Sequence, residues 1–183
     1  MRISTTSSRG PSLKSVAIGA AVALLSGIAI NSIAAAAPCA YDKQFLSKAA
    51  DAGSTEIAAS KVAQSKSSNG EVKAFAASMV TDHGKVAEEL KQLASSKQID
   101  VSEQPGARHQ AQIDKLSRLE GAQFDKEYAA RIGVAAHKEA VKLFTDASQK
   151  ASDPDIKAFA AKTLPKLQHH LEMATALHAA LAK

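Results

Sequence analysis

The sequence predicts an all-α protein: a ferritin-like four-helix bundle built from two related helical hairpins, with a long crossover and a short extra helix. Three observations carry that expectation. Beyond residue 36 the chain is rich in Ala, Lys, Leu, Glu and Gln, has no Trp, and shows no run of alternating β-branched residues, a composition that suits helices and not sheets. Four long segments each carry one apolar stripe at helical spacing. A stretch also recurs without gaps. "KSSNGEVKAFAA" (66–77) aligns with "KASDPDIKAFAA" (150–161), sharing the lysine, a serine cap, an acid in the first turn and then Lys-Ala-Phe-Ala-Ala. Both copies open the second helix of a hairpin.

The first 36 residues stand apart. "MRISTTSSRGPSLK" has three basic residues and no acid, and the apolar, Ala-rich "SVAIGAAVALLSGIAINSIAAAA" follows it. This is the layout of a secretory signal peptide. Ala34 and Ala36 meet the small-x-small cleavage rule, which places the cut before Ala37 and leaves residues 37–183 as one mature domain, periplasmic or otherwise exported, with no membrane span. The competing reading is an uncleaved anchor, since an apolar run of about 20 residues is long enough to span a bilayer. Cleavage removes Arg2, Arg9 and Lys14, three of 23 basic residues; the remaining 20 face 18 acidic ones, so a net charge of +5 falls to +2. Those charges alternate in sign along the helices, as on a solvated face, and nothing asks for nucleic acid. The single cysteine, Cys39, excludes an internal disulfide and reads as a thiol in a flexible tail, free to pair between chains.

Helix 1 is expected from about Asp42 to Ser65, closed by Ser67-Ser68-Asn69-Gly70. Helix 2 follows from Gly70 to about Ser95, capped by Ser68 or Asn69. "SSKQIDVSEQPGA" is a polar connection punctuated by Pro105-Gly106. A short helix near Arg108–Leu119 aligns Ile113, Leu116 and Leu119. Helix 3 spans about Ala122 to Lys150. Helix 4 opens at "SDPD", with Ser152 or Asp153 as cap and Pro154 in the first turn, and runs to about Ala182 with a bend expected at Pro165. The 26 residues from Ser96 to Gly121 are long for a tight turn, so they are expected to cross the length of the bundle and leave helices 2 and 3 parallel.

The stripes contain a polar layer. Helix 1 aligns Phe45, Ala49, Ala52, Glu56, Ala59 and Ala63. Helix 2 aligns Phe75, Met79, His83, Val86, Leu90 and Leu93, and helix 3 aligns Ala130, Val134, His137, Val141 and Phe144. In helix 4 the stripe runs from Ile156 and Phe159 through Thr163 and Leu167 to His170 and Ala174. Each helix thus gives one ionisable group to its inward face, and each group lies near mid-helix, so either topology brings the four to one level. Such groups in an apolar interior are costly unless paired or bound to a cation. Three accounts compete: a hydrogen-bonded Glu–His network that fixes register, a site for one iron, manganese, zinc or copper ion held by Glu56, His83, His137 and His170, and coincidence. Met79 and Met173 flank the histidines and suit Cu(I), although methionine is also the usual filler of irregular cores. Asp82, about 100° off the stripe, reads as a solvated or supporting group. His109, His169 and His178 read as surface residues, and Tyr128, with Phe124 and Asp125, as a neighbour of the layer.

"FLSKAADAGSTEIAASKVA", "VKAFAASMVTDHGKVAEEL", "FDKEYAARIGVAAHKEAVKLF" and "LPKLQHHLEMA", taken in order, resemble the bacterial secreted helical domains known as domain of unknown function 4142. Members are often described as outer-membrane proteins and placed among ferritin-like bundles. The resemblance covers about Tyr41 to Leu181. It implies an exported bundle with Glu56, Asp82-His83, Asp125, Tyr128, His137 and His170 at the family's characteristic positions, and it implies no particular activity. Ferritin-like di-iron proteins use Glu-x-x-His on two helices. Here Val80, Val134 and Leu167 stand three residues before the histidines, so the bridging carboxylates are missing and one metal is the most these ligands support. No phosphate loop, zinc-type Cys/His spacing or G-x-S-x-G is present, which leaves no positive case for an enzyme. The alternative function is a structural or interaction protein, its partners unspecified by the sequence, whose buried layer only specifies the core.

Overall fold

The structure, a computed structural model, describes residues 38–183; the expected signal segment or anchor lies outside these residues. Six α-helices and one π-helical stretch follow in order: α1 (Ala40–Lys66), α2 (Gly70–Ser96), α3 (Ala107–Ser117), α4 (Gly121–Tyr128), the π-helix Ala129–Ala136, α5 (His137–Lys150) and α6 (Pro154–Leu181). α4, the π-helix and α5 are continuous and make one rod. No strand occurs among the described residues, and no helix there is long and apolar enough to cross a membrane.

The two repeat copies start their helices in the same way, one residue later than a serine cap. The Asn69 side chain accepts from the backbone of Glu71 and Val72, and Asp153, its equivalent, accepts from Asp155 and Ile156. Each cap satisfies donors that an unfinished first turn leaves open. Cys39 is exposed, and it holds the N-cap position of α1 instead of lying in a loose tail. The expected bend at Pro165 does not divide α6. Pro165 and Ala161 are both exposed, so the carbonyl left without its helical donor faces water.

α1 packs chiefly on α2, and α5 chiefly on α6, as hairpins. Contacts between the hairpins fix the directions. Phe45 near the start of α1 meets Phe144 toward the end of the rod, and Ser60 toward the end of α1 meets Tyr128 toward the start of the rod. α1 and the third rod are therefore antiparallel. Lys162 reaches Glu89, and Lys97 at the end of α2 reaches Asp155 at the start of α6, so α2 and α6 are antiparallel too. It follows that α2 and the third rod run parallel, as the long connection predicted. That connection is tied to α1 at Asp51, which accepts from Gly106 N–H (2.7 Å) and pairs with His109 Nδ1 (2.8 Å). α3 then covers one end of the core with Ile113 and Leu116.

The core is divided in two. One cluster joins Phe75, Met79, Phe124, Tyr128 and Leu177 at one end. The other joins Phe45, Leu46, Phe144, Ile156 and Phe159 at the opposite end. The polar layer lies between them.

The π-helix corrects one expectation. Downstream, the buried face of the rod is His137, Ala140, Phe144 and Ala147; upstream it is Phe124, Tyr128 and Ile132 with Asp125, Ala129 and Gly133. Ala130 and Val134, assigned to the inner stripe from an α-helical period, are only half-buried. The wider turn admits about one extra residue and rotates the two halves relative to each other. Within it, Gly133 meets α6 so closely that a Cβ would lie 3.0 Å from Ala174 Cβ and 3.7 Å from Phe75. Gly133→Ala should therefore destabilise the fold by about 1–3 kcal/mol, the cost of overpacking. Adding Ala174→Gly should recover part of that loss in a denaturation series; no recovery would place the strain elsewhere.

Candidate metal centre

All four predicted groups arrive at one level, and each is at most 3% exposed: Glu56, His83, His137 and His170. The mid-helix positions of Glu56 on α1, His83 on α2 and His170 on α6 suffice for this. His137 stands immediately after the π-helix, which aims it at the same point as the upstream half of the rod.

The hydrogen bonds assign the ring protons. His83 Nδ1 lies 3.0 Å from Glu56 Oε2, so it donates to the carboxylate. His137 Nδ1 lies 3.1 Å from the Ile132 carbonyl, which can only accept, and 3.6 Å from Glu56 Oε1. His170 Nε2 lies 3.1 Å from Asp82 Oδ2 and donates to it. Each imidazole thus spends one N–H on an outer acceptor and turns its other nitrogen inward. The inward nitrogens converge: His83 Nε2 is 3.3 Å from His137 Nε2 and 3.3 Å from His170 Nδ1. These three histidines form the metal-competent group among the described residues, each offering an atom within 4.8 Å of the others. Glu56 is not in that group. Its oxygens meet Nδ1 of His83 and Nδ1 of His137, on the ring edges away from the convergence, and Oε1 finds no partner at hydrogen-bond distance.

Asp82 has a definite place that its helical phase only hinted at. Besides His170, its carboxylate takes Lys166 Nζ at 2.9 Å, and the pair sits at the surface, Asp82 with 25% and Lys166 with 44% of the side chain exposed. The Lys166 hydrogen bond is the main influence holding Asp82 below its ordinary pKa, against a smaller push from burial. Tyr128 is fully buried and bonds Ser60 at 2.8 Å, one turn along α1 from Glu56. Asp125 is buried, but its Oδ1 has no hydrogen-bond partner among the described residues, and it is not brought into the histidine layer. His169 and His178 are exposed, and His109 serves the crossover.

Titration of the metal-free protein should follow this wiring. Burial, and then the charge of His83, push His170 down to about 4, with the Asp82 hydrogen bond opposing. A depressed folded value means that the unfolded chain takes up the proton first, so stability is complete above the ordinary 6.5 and is lost as pH falls through about 4. Glu56 acts in the same direction in acid: burial raises it, but the three imidazoles together prevail and hold it below 4.5. His83 works the other way. Burial lowers it, yet Glu56 and Asp82 raise it overall above 6.5, so its contribution is complete in acid and fades on the alkaline side. Denaturant midpoints of chelator-treated protein should accordingly fall steadily from pH 6.5 to 4. A flat profile over that range would contradict the assigned network.

Fold and site together define a class: an all-helical bundle whose interior is crossed by a layer of three histidines and a glutamate. The chain belongs to the family described as a domain of unknown function, DUF4142, whose profile matches residues 29–177. A solved structure, the crystal structure of a DUF305 fragment from Deinococcus radiodurans, is similar in fold, with a TM-score of 0.68 and 13% identity over 78% of this chain and 97% of that one. At that identity the likeness concerns the fold alone. A search of curated proteins gives no match.

Proposed function

We propose that this chain is an exported, ferritin-like bundle that holds one transition-metal ion between His83 Nε2, His137 Nε2 and His170 Nδ1. The observation that carries the reading is the set of three inward nitrogens. With every outer N–H already committed, the convergence point offers three lone pairs and, at most, one shared proton. Metal–imidazole bonds of about 2.0–2.1 Å in a tetrahedral set require an N···N edge of about 3.3–3.4 Å. The two edges that meet at His83 Nε2, each 3.3 Å, agree, and the third lies within 4.8 Å. The 3.3 Å spacings exceed the roughly 2.9–3.0 Å usual for an N–H donor.

Glu56 was the expected fourth ligand; here it serves better as the acceptor that fixes the tautomer of His83 and faces His137, as outer carboxylates do around metal-bound histidines. Three neutral imidazoles favour zinc or copper over manganese or iron. Burial of the layer suits holding an ion more than transforming a substrate, so no catalytic residue is assigned. Export, and with it a role in the cell envelope or under stress, rests on the layout of residues 1–36, and ferritin-like topology on the parallel placement of α2 and the third rod.

The second reading has its own support. The raised pKa of His83 favours a proton on Nε2, and His83 as imidazolium would satisfy Glu56 on one side and the neighbouring imidazoles on the other. In that case the layer only fixes the register of the core. Metal analysis of protein purified without a chelating tag separates the two. The metal reading expects about one ion per chain and release of protons on binding, because the ion displaces whatever proton the inward nitrogens share. Sub-stoichiometric metal and no proton release would leave the structural reading standing.

A further inference from the structure

The three histidines differ in how they are anchored. His83 is held by Glu56 and His137 by the Ile132 carbonyl, both wholly interior. His170 alone is anchored on a group that water reaches. Its Nε2–H is taken by Asp82, whose other oxygen is taken by Lys166 on the surface. Loosening His83 or His137 would strand a buried acceptor, whereas Asp82 and Lys166 can be rehydrated as they part.

We propose, building on the metal reading above, that the ion enters and leaves across the seam between α2 and α6, when the Lys166–Asp82 pair opens and lets His170 swing away from the other two ligands. His170 is then the last ligand to bind and the first to leave, and Lys166 is a latch that touches no metal. The ion meets the Asp82 carboxylate on its way, a hard, anionic first contact that a hydrated cation accepts readily. The rival passage is the groove between α1 and α2, which is lined at this height by Ile57, Ala58, Val80 and Gly84. Around them Lys61 and Lys91 offset Glu88 and Glu103, with Lys91 already paired to Glu103, so this groove offers a cation no net charge and no free hand-over to a ligand histidine.

Rates of loading and release test the latch. Cobalt(II) alone, followed by its visible absorption, is mixed with metal-free full-length protein, and release is followed after adding excess chelator. Lys166→Ala should speed both association and release by about fivefold, the scale set by a part-exposed ion pair, with the dissociation constant nearly unchanged. Lys166→Arg should behave as wild type. Simple removal of positive charge would instead speed loading and slow release. Lys162→Ala, which opens the Glu89 pair one turn along the same seam without touching the site, reports that effect. Gly84→Leu fills the α1–α2 groove at a position where a Cβ meets nothing within 4 Å, and should leave both rates unaltered. Unchanged rates in Lys166→Ala, equal acceleration in Lys162→Ala, or slowing by Gly84→Leu would each overturn the seam while leaving the metal reading intact. Failure of the wild type to bind cobalt(II) would remove both.

Discussion

Zinc added to the metal-free protein at about a hundredfold excess over its dissociation constant should raise the melting temperature by about 5–10 °C, and His137→Leu should abolish the rise. The magnitude follows from linkage. An ion that binds only the folded state adds about 2.7 kcal/mol at that excess, and a domain of this size gains about 2–4 °C per kcal/mol. His137 is the ligand to remove because it is fully buried and its outer nitrogen rests on a backbone carbonyl, while Glu56 keeps its hydrogen bond from His83. Leucine is of similar bulk and lies between two apolar clusters, so the variant should fold. If the layer is purely structural, wild type and variant will both ignore zinc. Equal shifts in both would place the ion on exposed His169 or His178. Acidification supplies a second reading from the same samples: the zinc-induced shift should shrink as pH falls below the imidazole range, because protons compete for the inward nitrogens.

Truncation of the repeat phenylalanines should be the most damaging single change to the fold. Phe75 and Phe159 occupy equivalent places in the two repeat copies, and they fall in opposite clusters. Phe75 lies edge-on to Tyr128 at 6.1 Å, and Phe159 lies 6.0 Å from Phe144. Phe75→Ala and Phe159→Ala should each cost about 3–5 kcal/mol, made up of lost burial and the cavity left behind. Melting temperatures should drop by about 10 °C or more in each. Urea denaturation with unchanged slope and lowered midpoint is the expected signature; two silent substitutions would mean that the clusters do not carry the stability assigned to them.

The helices and the four interior groups were legible in the sequence because period and burial coincide there. Glu56, His83 and His170 each sit where a leucine would be expected, and that mismatch is readable without coordinates. The repeat likewise exposed the two hairpins, since Asn69 and Asp153 do the same work at aligned positions. Other features turn on directions that a one-dimensional pattern lacks. Whether Glu56 faces the inward nitrogens or the backs of the rings depends on side-chain torsions, and only the distances place it behind them. Asp82 looked peripheral because it is one residue off the stripe, yet α6 approaches from that side and brings His170 and Lys166 to it. The wide turn was hidden by its own residues. In "AARIGVAAH" the small side chains fit an inner face under either period, so nothing in their pattern reports the slip.

That wide turn bears on how this chain can change length. In an ordinary helix a one-residue deletion rotates everything beyond it by about 100° and turns the inner face outward. The third rod already contains such a rotation, placed between the half that carries Tyr128 and the half that carries His137. Deleting one residue within Ala129–Ala136 would let the backbone relax to a regular α-helical ladder, and the rod would then have to choose which half keeps its neighbours. If it kept His137, it would lose the Tyr128–Ser60 bond and the packing of Phe124; if it kept those, the imidazole would leave the layer. The eight residues of the π-helix therefore act as a joint between two separately phased modules, and the presence of three histidines at one point depends on a single surplus amino acid.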